Sequence, residues 1–314
     1  MSGISAQAIK ELRERTQAGM SDCKSALVEA EGDMEKAVEI ILKKGLVKSA
    51  KKAGAVASEG EVRASVSADK RAATIVEVNI QTDFSARSDE FKAFVGEVLA
   101  AASSAAVGTD VNALTVASGK TVADASIALT GKIGEKIAAR RWDRAEVGEG
   151  KSGFAHSYVH MGGKIGVVLA IETETAEAAS HAEVVKFADD TAMQIAAMNA
   201  LVLTRGEVAA DLIDKQKEIF AGQLKEDPKT AVKEAQWPKM IEGKLNKWYS
   251  EIALLEQESV VVPGNTIEKL REAASKAAGA KVTISRFVRY ERGEGIAKAQ
   301  KDDFAAEVAK MAGG

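Results

Sequence analysis

The chain of 314 residues is long enough for two or three domains and a sizeable core. Its 43 lysine and arginine residues are balanced by 46 aspartate and glutamate residues, and the formal net charge of -3 predicts no general attraction to nucleic acid. A single cysteine excludes an intramolecular disulfide framework, which fits a reducing cytoplasm, and no apolar run approaches membrane-spanning length.

Residues 5 to about 45 show the pattern of three short helices separated by turn residues. Gly19 and the pair Gly32–Asp33 supply the breaks. Each helix carries a narrow stripe of apolar or small residues: Ile9 and Leu12; Cys23, Ala26, Leu27 and Ala30; Met34, Ala37, Val38, Ile41 and Leu42. We therefore predict a small docking module at residues 1–46 that resembles ubiquitin-associated (UBA) domains.

A basic stretch follows this module. Its lysines are Lys43, Lys44, Lys48, Lys51 and Lys52, and the segment 47–58 mixes lysine, alanine, glycine and serine. The composition predicts a solvated helix end and a linker rather than an RNA site.

The next segment predicts a strand, a short connection and a helix. β-Branched residues are dense from Thr74 to Ile80, which indicates a strand. Ser88 is suited to cap a helix whose apolar stripe comprises Phe91, Phe94, Val95, Val98 and Leu99. Phe84 lies on the connection between them, in Thr82-Asp83-Phe84, and belongs to neither periodic face.

Two interpretations of Phe84 stay open on these grounds. An apolar ring between polar neighbours on a short connection suits insertion into a pocket of a partner protein. The alternative is a loop residue that folds back onto the protein's own core.

The remainder of the chain contains an internal duplication. Gly134–Glu146 parallels Gly279–Glu291, because glycine, lysine, an aliphatic residue, arginine, an aromatic residue, arginine and glutamate recur in register. Each half begins with a hairpin pattern, turning near Asp69–Lys70 in the first and at Gly162–Gly163 in the second. A helix follows each hairpin. We predict an α+β fold whose core consists of two β-β-α-α-β halves packed together.

The second half is interrupted by two charged, helix-favouring runs. They extend from Glu207 to Glu226 and from Thr230 to Tyr249, and their narrow apolar stripes predict an inserted two-helix hairpin. Pro238 should break or restart the second helix. At the C-terminus a small helix would present Phe304, Val308 and Met311 on one face, and we favour docking of that face on a partner over internal packing.

The predicted domain organisation follows from these patterns. The units are residues 1–46 (three-helix module), 47–58 (linker), 59–148 (first half of the core), 149–205 with 251–291 (second half), 206–250 (inserted helical hairpin) and 292–314 (C-terminal helical module).

Motifs for nucleotide, metal and catalytic sites are incomplete. Gly119-Lys120-Thr121 and Gly150-Lys151-Ser152 imitate a phosphate-binding loop, but neither has the earlier glycine that the motif requires. His156 and His160 alternate along a predicted strand, so their rings would lie roughly 13 Å apart, too far for one metal ion. No acid–base pair is recognisable, and we predict no enzyme activity, no cofactor and no metal.

Four separated motifs, covering most of the chain, resemble the elongation factor Ts family, the exchange factors for the GTPase elongation factor Tu. They are Leu12–Leu27 continued by Glu29–Asp33, Gln81–Phe91, Tyr158–Val167, and Gly293–Ile296 followed by Asp303–Val308. Departures are mild. Gln17, Ser21 and Ser25 stand where the family often has Gly, Met and Lys, and Ser85 stands where Val is usual.

The resemblance implies a cytoplasmic guanine-nucleotide exchange factor that binds elongation factor Tu carrying GDP. The Asp83–Phe84 loop would enter between helices of the partner's nucleotide domain and disturb its magnesium and phosphate contacts. The implied partner-binding residues are Thr82, Asp83, Phe84, Ala86, Arg87, Gly19, Met20, His160, Gly162, Gly163, Phe304 and Val308. It further implies no direct binding of nucleotide, nucleic acid or membrane, and it is compatible with a homodimer or a 2:2 complex.

Two other classes of function stay open. A ubiquitin-type adaptor would use the N-terminal module but would leave the duplicated core unexplained. An enzyme would require a cluster of titratable groups with perturbed pKa values in a closed pocket.

Overall fold

The computed structural model describes residues 4–16 and 18–297, and this part of the chain has the predicted α+β composition. Its helices are α1 (Ala6–Thr16), α2 (Met20–Glu29), α3 (Met34–Lys52), α4 (Asp83–Ala86), α5 (Asp89–Ser104), α6 (Val122–Ile133), α7 (Ala176–Ala179), α8 (Ala182–Met198), α9 (Ala210–Glu226), α10 (Pro228–Ala231), α11 (Trp237–Ile252) and α12 (Ile267–Ala278). Its strands are β1 (Glu59–Val66), β2 (Ala72–Ile80), β3 (Ile137–Glu146), β4 (Ser152–His160), β5 (Ile165–Thr173) and β6 (Val282–Glu291). Short 3-10 turns occupy Val111–Ala113, Arg205–Glu207, Glu234–Gln236 and Leu254–Glu256. The predicted C-terminal helix, with Phe304 and Val308, lies outside the described residues.

The first three helices pack around a small core of their own. Leu12, Cys23 and Leu27 are fully buried in it, as their spacing predicted. Asp33 caps α3, because its side chain accepts a hydrogen bond from the Lys36 backbone N–H at 3.0 Å. The predicted linker begins too early, since residues 47–52 continue α3. Lysine and alanine favour helix, and α3 packs against α6 over this stretch.

β1, β2 and β3 form an antiparallel sheet in that order. The hairpin between β1 and β2 turns at Asp69–Lys70 as predicted, with Lys70 in the left-handed region at φ 58°. α5 and α6 cover one face of this sheet. The predicted stripe of α5 is buried there against Val76, Val78 and Ile80 of β2.

β4, β5 and β6 form a second antiparallel sheet with the same relative order. α8 and α12 cover one of its faces, where Val167, Leu169 and Ile171 of β5 are buried. Both central strands contain a register shift, between Glu77 and Val78 in β2 and between Ala170 and Ile171 in β5. The two sheets therefore share their order, their helix cover and an irregularity in the middle strand.

The uncovered faces of the two sheets pack against each other, which produces four layers in the order helices, sheet, sheet, helices. Val62 and Ile75 of the first sheet meet Val168 and Ala170 of the second in this central layer. Gly166 permits the close approach, because a Cβ atom there would lie 2.5 Å from the Val62 Cγ1 atom. Burial on both faces explains why β2 and β5 are apolar along almost their whole length.

The inserted segment forms a helical hairpin of α9 and α11. Its two ends are adjacent, because Val202 and Ala253 form a bridge at its base. The second helix was predicted to begin at Thr230, and this start is wrong. Residues 230–236 contain instead the end of α10 and a 3-10 turn. α11 begins at Trp237 with Pro238 in its first turn, so the proline restarts the helix as predicted. Within residues 4–16 and 18–297, no helix combines the length and the apolar character needed to cross a bilayer.

Candidate functional site

The predicted loop between β2 and α5 is a one-turn helix, α4, bounded by two caps. Thr82 accepts a hydrogen bond from the Ser85 backbone N–H at 3.2 Å and so begins α4. Ser88 accepts one from the Phe91 backbone N–H at 3.3 Å and begins α5, and its hydroxyl donates to the Ser85 carbonyl at 2.7 Å. The chain therefore makes a tight corner whose backbone is held by capping side chains.

The corner is tied to the segment that joins α6 to β3. The Glu135 carboxylate accepts hydrogen bonds from the Thr82 backbone N–H at 3.0 Å, the Thr82 hydroxyl at 2.8 Å and the Ser85 hydroxyl at 2.6 Å. The Lys136 backbone N–H donates to the Gln81 side-chain oxygen at 2.7 Å. These contacts join residues that lie 50 to 55 positions apart in the sequence.

Phe84 projects from this corner with 85% of its surface exposed. Ala86 lies on the opposite side of the turn, half-buried against the core of the first sheet. Asp83 and Arg87 flank the ring and form an ion pair of 3.0 Å, with side chains that are 66% and 77% exposed. The exposed position of Phe84 agrees with the first of the two interpretations left open by the sequence, and the one in which the ring folds back onto its own core is wrong.

The N-terminal bundle meets the core close to this corner. A Cβ atom at Gly131 of α6 would lie 3.1 Å from the Gly45 Cα atom of α3, so the two helices cross closely. Gly131 lies in the last turn of α6, and Glu135 follows shortly after the helix ends. The bundle and the Phe84 corner therefore adjoin the same end of α6. Lys132 at this end of α6 forms an ion pair of 3.5 Å with Glu90. The Glu90 backbone N–H and, to a smaller extent, the charge of Lys132 lower the pKa of the Glu90 carboxyl.

Gly19 and Met20 begin α2 in this bundle. Met20 is 52% exposed, and Gly19 lines a groove of about 320 Å³ between the bundle and α6. The apolar part of its lining includes Ile41, Leu42 and Ile127.

The β4–β5 turn holds three of the predicted partner-binding residues, of which two are exposed and one is buried. His160 and Gly162 are exposed, and the His160 Nδ1 atom lies 2.8 Å from the Tyr158 hydroxyl. Gly163 is buried against β1, and its carbonyl accepts a hydrogen bond from the Val62 backbone N–H at 2.8 Å. A Cβ atom at Gly163 would lie 2.5 Å from the Glu61 Cγ atom. This glycine serves the contact between the two sheets, and its contact with a partner stays a prediction.

The described residues do not provide the elements of a metal site. In the ranges 4–16 and 18–297, no group of three or more His, Cys, Asp or Glu side chains could hold a metal ion. His156 lies on a strand as predicted, and its Nε2 atom is 3.1 Å from the Asp189 carboxylate. Burial lowers the pKa of the His156 imidazole, and the Asp189 charge opposes this shift.

Glu135 was not identified from the sequence. A contact between distant loops leaves no periodic pattern, but one signal was available. The paired segments read Gly134-Glu135-Lys136 and Gly279-Ala280-Lys281, so they differ at the position that binds the Phe84 corner.

The sequence of the chain is similar to those of known proteins. A family profile described as "Elongation factor TS" matches residues 81–294, a range that contains the Phe84 corner, β3 and the whole second sheet but neither β1 nor β2. A protein named elongation factor Ts from Clostridium perfringens is 44% identical over 312 residues, which cover 99% of each chain. One from a Nitratiruptor species is 46% identical over 314 residues, 98% of each chain. The chain therefore belongs to the elongation factor Ts family.

Proposed function

We propose that the chain is a translation elongation factor that promotes release of GDP from the GTPase elongation factor Tu. The observation that supports this most strongly is Phe84, an aromatic ring that is 85% exposed on a hydrogen-bonded corner. Burial of an exposed apolar ring by a partner is favourable, and hydrogen bonds that hold the ring in place reduce the cost of ordering it.

The energetic requirement for exchange is a difference in affinity between two states of the partner. The protein must bind the nucleotide-free form more tightly than the GDP form, and by reciprocity GDP then weakens the complex. Burial of the Phe84 ring only in the opened partner would contribute about 1.5–3 kcal/mol. That corresponds to roughly a 10- to 150-fold shift toward the nucleotide-free complex.

Other surfaces would contact the same partner. Asp83 lies beside the ring and would either hold the loop or compete for polar groups that otherwise serve the partner's magnesium and phosphate site. Gly19 and Met20 would supply a second contact, which their position near the same end of α6 supports. His160 and Gly162 would contact the partner elsewhere, as would Phe304 and Val308 of the C-terminal module.

The remaining parts of the proposal concern organisation. The N-terminal bundle would act as a UBA-like docking module, and the two halves of the core would descend from a duplication, which their common strand order supports. The hairpin of α9 and α11 would serve self-association, in a homodimer or a 2:2 complex, or a peripheral contact. The protein would act in the cytoplasm as a binding protein rather than an enzyme, without binding nucleotide or nucleic acid itself.

Replacement of Phe84 by alanine tests the proposal. Because the ring is mostly exposed, Phe84→Ala should cost far less than the roughly 3–5 kcal/mol of a buried phenylalanine and should melt like the wild type. Release of a fluorescent GDP analogue from elongation factor Tu, followed by stopped flow, should slow by roughly tenfold or more.

Val232 provides a control of the same exposure at a distant place. It is 84% exposed and lies on the inserted segment, so Val232→Ala removes exposed apolar surface without touching the corner. We expect wild-type release with this variant. If Phe84→Ala also releases the nucleotide at the wild-type rate, the ring does not drive exchange.

A further inference from the structure

We propose that Glu135 is a positioning residue that holds the Phe84 corner in the orientation needed for exchange. This inference rests on the proposed function, since it assigns Glu135 a role through Phe84. It concerns the ties that fix the corner before any partner arrives.

The ring cannot fix its own position. A side chain that is 85% exposed makes few packing contacts with its own protein. α4 contains four residues, too few to be stable as an isolated helix. The orientation of Phe84 therefore depends on how the corner is held, through the packing of Ala86 on the core and through hydrogen bonds to a firmer part of the fold.

Glu135 supplies three of these bonds from one half-buried carboxylate. It accepts from the Thr82 backbone N–H, the Thr82 hydroxyl and the Ser85 hydroxyl, at 2.6–3.0 Å. Its own position is firm, because Gly134 ends α6 in the left-handed conformation and Ile137 begins β3. Bonds to residues on both sides of Phe84 restrain the ring between them.

The second sheet contains a closely similar corner that serves as an internal comparison. Thr175 caps α7 by accepting from the Ala178 backbone N–H at 3.2 Å, as Thr82 caps α4. Glu174 accepts from the Lys281 backbone N–H at 3.0 Å, as Gln81 accepts from Lys136.

This second corner has no aromatic ring like Phe84 and no carboxylate like that of Glu135, which binds the first corner. Glu177 stands in the place of Phe84, Ala178 in that of Ser85, and Ala280 in that of Glu135. The corner forms nonetheless, so the chain does not need a residue like Glu135 to build the turn. The carboxylate accompanies the exposed aromatic ring, which fits a role in function rather than in folding.

The test uses the full-length protein and two measurements on the same variants. Glu135→Ala removes the three bonds, whereas Glu135→Gln keeps a similar side chain with one oxygen that accepts from Thr82 and an amide that donates to Ser85. Hydrogen–deuterium exchange of residues 81–88 in the free protein reports how firmly the corner is held. Stopped-flow release of a fluorescent GDP analogue from elongation factor Tu reports exchange.

We expect Glu135→Ala to exchange its corner amides faster and to slow nucleotide release by roughly ten- to a hundredfold, because misplacement of about 1 Å has effects of this size. Glu135→Gln should keep most of the wild-type amide protection and most of the wild-type rate of nucleotide release. The double variant Phe84→Ala with Glu135→Ala should be no slower than Phe84→Ala alone, because both act through one ring. Glu174→Ala, which loosens the second corner, should release nucleotide like the wild type.

Several outcomes would overturn the assignment. Unchanged amide exchange in Glu135→Ala would mean that the carboxylate does not hold the corner. Faster amide exchange with normal nucleotide release would mean that the order of the corner does not matter for nucleotide release. A double variant that releases nucleotide more slowly than Phe84→Ala would mean that Glu135 acts independently of the ring. Should Glu135→Ala fail to fold, Ser85→Ala removes one tie from the other side and must raise amide exchange. Normal release by Phe84→Ala refutes the proposed function separately, because amide exchange is measured without the partner.

Discussion

His156 combines partial burial with a nearby negative charge. Its imidazole Nε2 atom lies 3.1 Å from the Asp189 carboxylate, and its side chain is 26% exposed. Burial disfavours the charged imidazolium and lowers the pKa from its ordinary value of 6.5, and the opposing effect of Asp189 is smaller. The folded protein therefore takes up a proton at this position less readily than the unfolded chain.

This difference predicts how stability depends on pH. The unfolded chain binds the proton first as the pH falls through about 6.5, so stability is full above that value and is lost as the pH falls toward the folded pKa. We expect urea unfolding to show a loss of stability in the wild type, relative to His156→Gln, from about pH 7.5 to about pH 5.5. Parallel stability curves for the two proteins over this range would refute it.

At the level of single residues, the sequence was informative where a local pattern existed. The absence of Phe84 from both the strand and the helix periodicity left its exposure as one of two interpretations, and Ser88 could be predicted as a cap. Glu135 had no local pattern to mark it, because its partners lie on a distant turn, and only the comparison with Ala280 in the paired segment sets it apart. Gly163 was assigned to a partner on the family resemblance alone, and no sequence pattern indicated that its small size admits β1 of the first sheet.

At the level of elements, the crossing of α3 and α6 depends on two glycines. A Cβ atom at Gly131 would lie 3.1 Å from the Gly45 Cα atom, whereas one at Gly45 would meet only the Ile127 carbonyl, at 4.0 Å. Gly131→Val should therefore force the helices apart and loosen the N-terminal bundle from the core. Faster hydrogen exchange along residues 43–52 of α3 would reveal the loosening.

Gly45→Ala is the control at the same crossing. The methyl group fits, and alanine favours a helix interior over glycine by about 0.5–1 kcal/mol. We expect this variant to keep or improve the protection of α3. Equal protection of α3 in Gly131→Val and the wild type would show that the close contact does not hold the bundle in place.

The elements themselves were largely predictable, and their boundaries less so. Regular apolar spacing identified α5, and turn residues marked both hairpins. The continuation of α3 to Lys52 was missed because a lysine- and alanine-rich segment suits a linker or a helix, and packing on α6 decides between them. Residues 230–236 were assigned to a helix from composition alone, although Pro238 marked the correct start.

At the scale of the whole molecule, a buried carboxylate joins the first sheet to the chain that leaves the second. Glu77 in β2 has no exposed surface and forms ion pairs of 3.0 Å with Arg140 and 2.6 Å with Arg141. It also accepts a hydrogen bond of 2.8 Å from the Gly293 backbone N–H, just after β6. Arg141 continues the link, since its guanidinium lies 4.1 Å from the centre of the Tyr290 ring.

Removal of this carboxylate should destabilise the molecule. We expect Glu77→Ala to cost about 3 kcal/mol in urea unfolding, the lower end of the usual range for a broken buried pair. The lower end applies because Arg140 and Arg141 keep 29% and 30% of their side-chain surface in water.

The surface pair of Asp211 and Lys215 provides the comparison. Its side chains are 74% and 71% exposed and 3.9 Å apart, so Asp211→Ala should change stability by less than about 0.5 kcal/mol. A loss in Glu77→Ala no larger than in Asp211→Ala would mean that the buried network contributes nothing net.

The helices inserted between β5 and β6 impose an order on biosynthesis. The first sheet is complete once Glu146 has left the ribosome, whereas β5 must wait for β6, which begins at Val282. During that interval the nascent chain carries a finished half beside a two-stranded hairpin with one open, apolar edge, the kind of surface that chaperones bind. At synthesis rates of about 5–20 residues per second, translation of residues 174–281 keeps the edge open for roughly 5–20 s.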